Sequence, residues 1–451
     1  MKKIVSLFIA ILLAVSLAAC AGTTATDTSG EPSASGSAPS GAAPSAAESA
    51  DSDEPVHITF YTYNYMAQQK EGVDTLIAEF QEANPNITVE VVYASSTDIN
   101  TKIPADLAAG VTPDLIQVVF DSLDYAVHNY GVQDLNTLVD PAELSEHLAG
   151  FEPAALEVAK VDGKLYGLPY TFSTPVLFYN VALFEQAGLD PDAPPQTWDE
   201  VAQYALQIKQ NTDAEGFVFG GTTMGDWLLQ GLIKSNGGSV MSDDKSAITF
   251  GEDPAIEAIS MLQEMHKNGA HADLTDFQAF EAFPQGQLGM LLTTSGLQAS
   301  MLKGAEAAGW EMRTAKMPSF GNKATVPCNS GSGLFICSTD PAKQQASWKF
   351  MKYLTSERGY TVITTMMGYP PLRPDIVNDE QYLKQWAEEN PLVQPNLEQL
   401  KYVSPWQSYP GDNWFQIETI LLDAFNKCLF SDADVAQTMT DAQTQAQSLM
   451  P

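Results

Sequence analysis

Hydrophobic positions change their spacing along the chain in a regular alternation. In His57-Ile58-Thr59-Phe60-Tyr61, apolar residues alternate with polar ones, the period of a strand with one buried face. Val73, Leu76, Ile77 and Phe80 then recur at i, i+3, i+4 and i+7, the stripe of an amphipathic helix. Asn84-Pro85-Asn86 ends that helix, because proline blocks its continuation and asparagine suits turns. Residues 87–93 read as a second strand, 99–109 as a helix stopped by Gly110, and 115–120 as a third strand. A β-α-β-α-β series with short connections predicts a parallel sheet with helices on its faces. Open sheets of this kind hold ligands at the carboxyl ends of their strands, which puts Tyr61, Tyr63, Thr97, Asp98 and Asp121 near one rim. Helical stretches are also predicted over 201–210, 255–267, 342–354 and 417–430.

The first residues follow another rule. Lys2 and Lys3 precede an apolar run over 4–15, too short for a stable membrane span, and Leu17-Ala18-Ala19-Cys20 closes it. The motif looks like a bacterial lipobox, which makes 1–20 a lipoprotein signal peptide and Cys20 the lipidated residue; an ordinary secretory signal is the alternative. A lipid on Cys20 would hold the protein on the outer face of the cell membrane without spanning it. Residues 21–55 are Ala, Ser, Gly, Thr and Pro with scattered acids, which cannot bury enough surface to offset ordering entropy, so they read as a flexible tether.

About 395 residues remain, enough for two lobes. With 56 acids against 22 bases the formal net charge is −34, a surface that repels nucleic acid. Cys328, Cys337 and Cys428 cannot all pair internally, and there is no CxxC or zinc-type spacing. His57, His128, His147, His266 and His271 are scattered and read as surface histidines, so no metal and no cofactor are expected.

The stretch over 167–198 is the most distinctive. A Gly-Leu-Pro turn leads to the β-prone run Thr174-Pro175-Val176-Leu177-Phe178-Tyr179 and a short helical patch over 181–187, with Gly188 as its C-cap. A proline-rich loop follows, then Thr197-Trp198-Asp199-Glu200, where Thr197 is a candidate N-cap. This order resembles the extracellular solute-binding proteins of ABC importers, in the class that binds sugars and sugar-like solutes, and most of all its glycerol-3-phosphate-binding branch. Those proteins carry a similar Pro-Phe-x-Ser-Ser-Thr-Pro-Val-Leu-Tyr-Tyr-Asn segment, then Ala-Gly-Leu-Asp-Pro and Pro-Pro-x-Thr-Trp.

The resemblance runs with gaps from about Val56 to the C-terminus. It implies a two-lobed α/β fold of the type II periplasmic-binding-protein kind. The N-terminal lobe would hold 56–170 and 318–364, the C-terminal lobe 171–317 and 365–451, joined by hinge strands. It also implies a monomer that captures a small solute, shuts on it and docks on a permease. By motif, Ser173 beside Thr174 matches the family's Ser-Thr-Pro serine, Ser295 its Ser-Gly loop, Gly331 a glycine offering a backbone N–H, and Tyr369 the tyrosine of a Gly-Tyr-Leu-Pro segment. Trp227 falls near a tryptophan that stacks on ligand. Turn formation is the bland alternative for the serines and glycines, and core packing for Trp227.

The departures decide the expected solute. Where the glycerol-3-phosphate binder has an arginine in a late loop, this chain reads Trp406-Gln407-Ser408-Tyr409-Pro410-Gly411-Asp412-Asn413-Trp414. Its arginines are Arg313, Arg358 and Arg373, and only Arg373 is close to a site motif. A phosphate without a bidentate donor is poorly held. The aromatic-rich loop, with Trp406, Trp414 and Asp412 beside Asp98 and Asp121, therefore suggests a neutral carbohydrate or polyol-like solute, with a phosphate ester as the alternative. A secreted carbohydrate hydrolase is the runner-up class, on carboxylate pairs such as Asp121 and Asp124, but acids are abundant here and no GxSxG or P-loop is present. A lipoprotein presenting ligand to a receptor is a third reading.

Overall fold

The computed structural model describes residues 54–63 and 67–451. The expected signal peptide, Cys20 and nearly all of the tether lie outside the described residues.

The alternation read from the sequence becomes β1 (Val56–Tyr63), α1 (Ala67–Ala83), β2 (Ile87–Ala94), α2 (Ser96–Ala108) and β3 (Leu115–Val119), followed by α3 (Leu123–Asn129). β1 runs parallel to both β2 and β3. Two later strands, β4 (Gly167–Ser173) and β9 (Ser330–Ile336), complete this sheet in the order β2-β1-β3-β9-β4; β9 runs antiparallel to both β3 and β4, so β4 points the same way as the first three. A second sheet has the order β8-β5-β7-β6, made of β5 (Pro175–Asn180), β6 (Glu215–Phe219), β7 (Leu288–Thr294) and β8 (Met312–Lys316). The fold is thus mixed α/β, with these two sheets and a two-stranded hairpin of Lys160–Val161 and Lys164–Leu165. β9 opposes β3 because its chain returns from the second sheet, where no short βα connection dictates direction.

The expected lobe edge after residue 170 falls inside β4, and the chain leaves the first sheet at Thr174. Leu372 and Arg373, past the expected edge between 364 and 365, still bond residues of the first half: the Leu372 carbonyl accepts from Glu152 N–H, and Arg373 bonds His147 and Thr355.

Each sheet buries aromatic side chains under its helices. Phe350 of α9 (Pro341–Leu354) meets Phe60 edge-on at 5.5 Å and Phe80 at 4.9 Å, which pins α9 and α1 to β1. In the second half, Trp198 lies 6.1 Å from Phe217, and Phe219 lies 5.7 Å from Phe425 of α11 (Trp414–Leu429). Burying each such ring contributes roughly 2 kcal/mol.

Local signals are realised closely. Helix α4 (Val181–Ala187) is capped by Asn180, whose Oδ1 accepts from Leu183 N–H, and it ends at Gly188 with φ 75°. Thr197 caps α5 (Trp198–Asn211) in a reciprocal box: its Oγ1 accepts from Glu200 N–H at 3.2 Å, and Glu200 Oε2 accepts from Thr197 N–H at 3.1 Å. The three described cysteines are free and buried.

His57 and His128 are exposed as read, but two histidines correct the surface reading. His271 is fully buried; its Nε2 accepts from Phe219 N–H and its Nδ1 donates to the Ala272 carbonyl, so the ring is neutral, and burial pushes its pKa down to about 4. His147 is driven down to about 3 by burial and by the charges of Arg373 and Lys352. Both serve the core because a neutral imidazole can donate from one nitrogen and accept at the other.

Thr197→Ala removes the side-chain half of the capping box. The expected outcome is a loss of about 1 kcal/mol in urea unfolding with the native spectrum unchanged; an unchanged midpoint would contradict the assignment.

Candidate functional site

The site is built where the chain passes between sheets. Thr174, the first crossing residue, is tied down on every side. Its N–H donates to Ser295 Oγ, its carbonyl accepts from Ser295 N–H, and its hydroxyl donates to Asn396 Oδ1 and accepts from Gln399 Nε2. Ser295 follows β7, so these bonds fix the end of one strand against the start of another. Gly296 lies under the ring of Tyr369: a Cβ there would stand 3.3 Å from that ring. Tyr369 follows α10 (Glu357–Val362), a π-helical turn over Ile363–Met367 and left-handed Gly368 (φ 83°), and its hydroxyl accepts from Gln69 of α1. A π-turn re-aims the chain, which here turns Tyr369 toward both sheets.

Ser173 stands opposite Ser330, where β9 begins. Gly331 has φ 117°, and a Cβ would sit 2.1 Å from the Thr171 carbonyl. Only glycine fits that approach. Ser330 and Gly331 keep partial exposure while the rest of β9 is buried.

Just before Ser330 the chain enters an acidic cluster. Asp226 precedes α6 (Trp227–Ser235) and is fully buried. It accepts from Trp406 Nε1 at 2.6 Å, Tyr409 OH at 2.9 Å and Gln230 Nε2 at 3.1 Å. Gln230 also exchanges two bonds with the Gln407 backbone, and Trp406 N–H donates to Asn329 Oδ1. Gly225, with φ 80°, lets the Trp406 ring lie against the backbone. Behind it, buried Asp276 accepts from the N–H and hydroxyl of both Thr222 and Thr223, anchoring the loop that carries Asp226.

Asp121, just past β3, faces this cluster from the first sheet. Its Oδ1 is buried without a partner, as is Asn329 Nδ2. Burial first, then the charge of Asp226, pushes Asp121 up to about 7, against the pull of Ser122. Glu418 of α11 is raised by burial and by both aspartates. Burial raises Asp226 too, although its three donor groups favour the anion. Among the described residues no group of His, Cys, Asp and Glu has the geometry to hold a metal ion.

The other expected site residues are placed as follows. Tyr63 lines a cavity of about 10 Å³ with Gln117, Tyr170 and Tyr369, room for one water. Tyr61 donates to Asp106 at 2.7 Å and is turned toward α2, away from the cluster. Asp98 is exposed in the first turn of α2, and the Thr97 side chain lies outside the described residues. Trp227 is buried, its Nε1 donating to the Met224 carbonyl, so its indole packs in the core. Trp406 spends its indole N–H on Asp226, Trp414 is buried at the start of α11, and Asp412 is exposed.

Arg373 is not available to a ligand either: it is buried, bonded to the carbonyls of Thr355, Ala149 and His147, and stacked on Phe151. Sequence reasoning missed Asp226, Asn329, Gln230 and Glu418. Asp226 had one signal, an acid immediately before a helix; the others had none.

A cavity of about 270 Å³ opens beside the crossing, lined in part by Ser295, Gly296, Thr364, Tyr369 and Asn396. A larger groove of about 570 Å³ lies between α8 (Gln298–Ala308), β8 and residues 389–395, and holds none of the expected residues. The arrangement offers acceptors, a few donors and aromatic faces, and no nucleophile paired with a base; it is equipped to hold a polar guest.

Comparison with known proteins gives the same picture. Residues 75–391 match the family described as bacterial extracellular solute-binding protein. The sn-glycerol-3-phosphate-binding periplasmic protein of Shigella dysenteriae is 26% identical over 317 residues, 66% of this chain and 70% of that protein. The Salmonella typhimurium counterpart is 25% identical over 318 residues, with the same coverage. Among solved structures, the cyclic alpha-maltosyl-1,6-maltose binding protein of Arthrobacter globiformis superposes with a TM-score of 0.76 at 21% identity, covering 88% of this chain and 98% of that one. UgpB of Mycobacterium tuberculosis, solved with glycerophosphocholine, gives 0.73 at 21% identity, covering 88% and 98%.

Asp226→Ala leaves the donors of Trp406, Tyr409 and Gln230 buried and unpaired. The expected loss is about 3 kcal/mol in urea unfolding; a loss under about 0.5 kcal/mol would show that the cluster is not the anchor described.

Proposed function

The chain belongs to the bacterial extracellular solute-binding proteins, and on that premise we propose that it captures a neutral carbohydrate or polyol-like solute between its two sheets and delivers it to the permease of an ABC importer. One observation carries the choice of solute: buried carboxylates, Asp121, Asp226 and Glu418, gather where elements of the two sheets meet, and no arginine is free to join them. Arg313 is paired with Asp192 and Glu311, Arg358 with Glu79, and Arg373 is sequestered as described. A phosphate would meet Asp121, Asp226 and Glu418 with no bidentate donor to offset them. Hydroxyls suit the unpartnered Asp121 Oδ1, and the aromatic ring of Tyr369 suits a sugar's C–H face.

A glycerol-3-phosphate or glycerophosphodiester ligand is the second reading, favoured by the relatives named for that compound and by the neighbour solved with glycerophosphocholine. In this reading the chain performs no chemistry on its guest. A solute touching both halves binds the closed form better and shifts the population toward it. Lipidation at Cys20 would keep the monomeric protein on the outer face of the membrane, with the stretch over 21–55 as its tether, and ATP hydrolysis by a separate subunit would drive release into the permease.

Calorimetric titration against a panel of oligosaccharides, polyols, glycerol 3-phosphate and glycerophosphodiesters tests the choice. Heat is expected from a sugar or polyol, with affinity reduced at least about tenfold in Tyr369→Ala. Tight binding of a phosphate ester with no sugar responding would overturn it. Palmitate labelling of wild type but not Cys20→Ala is expected in a bacterial host; equal labelling would remove the anchor.

A further inference from the structure

Two turns from opposite halves meet at the mouth of the seam. Lys245 sits at the tip of a turn in the second half, between Met241 and Ile248, which bridge antiparallel. Asp162 sits at the tip of the short hairpin of Lys160–Val161 and Lys164–Leu165 in the first half. Lys245 Nζ donates to Asp162 Oδ1 at 2.9 Å and to Asp124 Oδ2 of α3 at 2.7 Å. Among the described residues, Lys245 (φ 58°) and Asp162 (φ 49°) are the non-glycine residues in the left-handed region. Side chains rarely adopt that backbone, and here the partners of a single ion pair both do. Nearby, Ser408 Oγ accepts from Asp124 N–H, a second bond between the halves.

We propose that Lys245 is a latch closing the two halves onto each other through Asp124 and Asp162, and that it works against the carboxylates of Asp121, Asp226 and Glu418, so that closing the seam takes up a proton at Asp121. The proposal rests on the cleft of the previous subsection but on no particular solute.

The opposition follows from where the acids come from. Asp121 belongs to the first sheet; Asp226 and Glu418 belong to elements packed on the second. Closing strips their water and brings like charges together, and the unpartnered Asp121 Oδ1 has no donor to compensate. The other titratable groups around them are Tyr130 beside Asp121, where Ser122 donates hydrogen bonds, and Lys234, Tyr409 and Cys328 beside Asp226. Around the latch they are His128, 3.4 Å from Asp124, and Lys164 beside Asp162.

In the open form Asp121 is solvated and keeps the ordinary carboxylate value; in the closed form it is raised to about 7. Closure is therefore favoured below that value and is lost as pH rises through it, by up to tenfold in the closed-to-open ratio per pH unit. The lysine acts the other way: it stays charged across this range and holds the mouth shut until like-charge repulsion exceeds it.

Spin labels on Glu146→Cys and Gln437→Cys, exposed positions in opposite halves, report closure by pulsed dipolar spectroscopy in the full chain without any solute. The expected result is a shorter distance at pH 5.5 than at pH 8.5. Lys245→Met should lower the closed-to-open ratio about tenfold at pH 5.5, between the effects of surface and buried pairs. Asp162→Asn, at an exposed tip that keeps the fold, should lower it less. Asp121→Asn should stay closed at both pH values. A wild-type distance independent of pH, an Asp121→Asn variant with the full pH response, or Lys245→Met and Asp162→Asn distances identical to wild type would each overturn the proposal. None of these outcomes bears on which solute is carried, so failure here and failure of the carbohydrate reading are separable.

Discussion

A carboxylate buried at the meeting of two sheets has to be satisfied, and Asp226 is satisfied by drawing distant parts of the chain together. Its oxygens take the indole of Trp406, the phenol of Tyr409 and the amide of Gln230. Those donors come from a loop nearly two hundred residues away in sequence and from the helix that Asp226 itself begins. This anion works with Gln230, which bonds the Gln407 backbone, and with Lys234, which bonds the Pro405 carbonyl, to hold the segment over 404–409 against α6. Asp276 performs the same service one layer further out, binding four donors of a single loop. Buried anions of this kind add little net stability but fix one arrangement among several, since every alternative leaves them unpaired.

The same constraint shapes the chemistry. If the guest sits where these acids gather, with each arginine already paired elsewhere, the site would favour hydrogen-bond donors over anions. Its unused polar atoms, Asp121 Oδ1 and Asn329 Nδ2, are a pair of acceptor and donor left over after the protein's own needs are met. Buried polar groups are normally satisfied, so in the proposed reading these leftovers are where a hydroxylated guest would gain most. The glycine at position 331 keeps the nearby backbone close to Thr171, and Ser295 is held by Thr174, so these polar groups sit on strand ends and not on free loops.

Much of the fold was legible in the sequence because it depends on local rules. The shift from period two to period 3.6 located β1, α1 and β2, and the caps at Gly188 and Thr197 were read to the residue. Strand direction was less legible: β9 lies antiparallel to both its neighbours, β3 and β4, and nothing in a strand's own residues encodes the side from which its chain arrives. The site divided along the same line. Ser173, Ser295, Gly331 and Tyr369 carry motif context and lie along the crossing. Tyr61 was legible only as an aromatic side chain near a strand end, and Trp227 only by loose register with a family tryptophan, and the structure packs both inside. Asp226, Asn329 and Glu418 left almost no trace, because a buried acid differs from a surface acid only in what folds over it.

A crystal structure of the protein with a bound solute tests the central claim most directly. The account predicts density for an uncharged, hydroxylated molecule between the two sheets, within hydrogen-bonding reach of Asp121 and against the ring of Tyr369. Density confined to the outer groove between α8 and β8, or a phosphate coordinated at the seam, would contradict it.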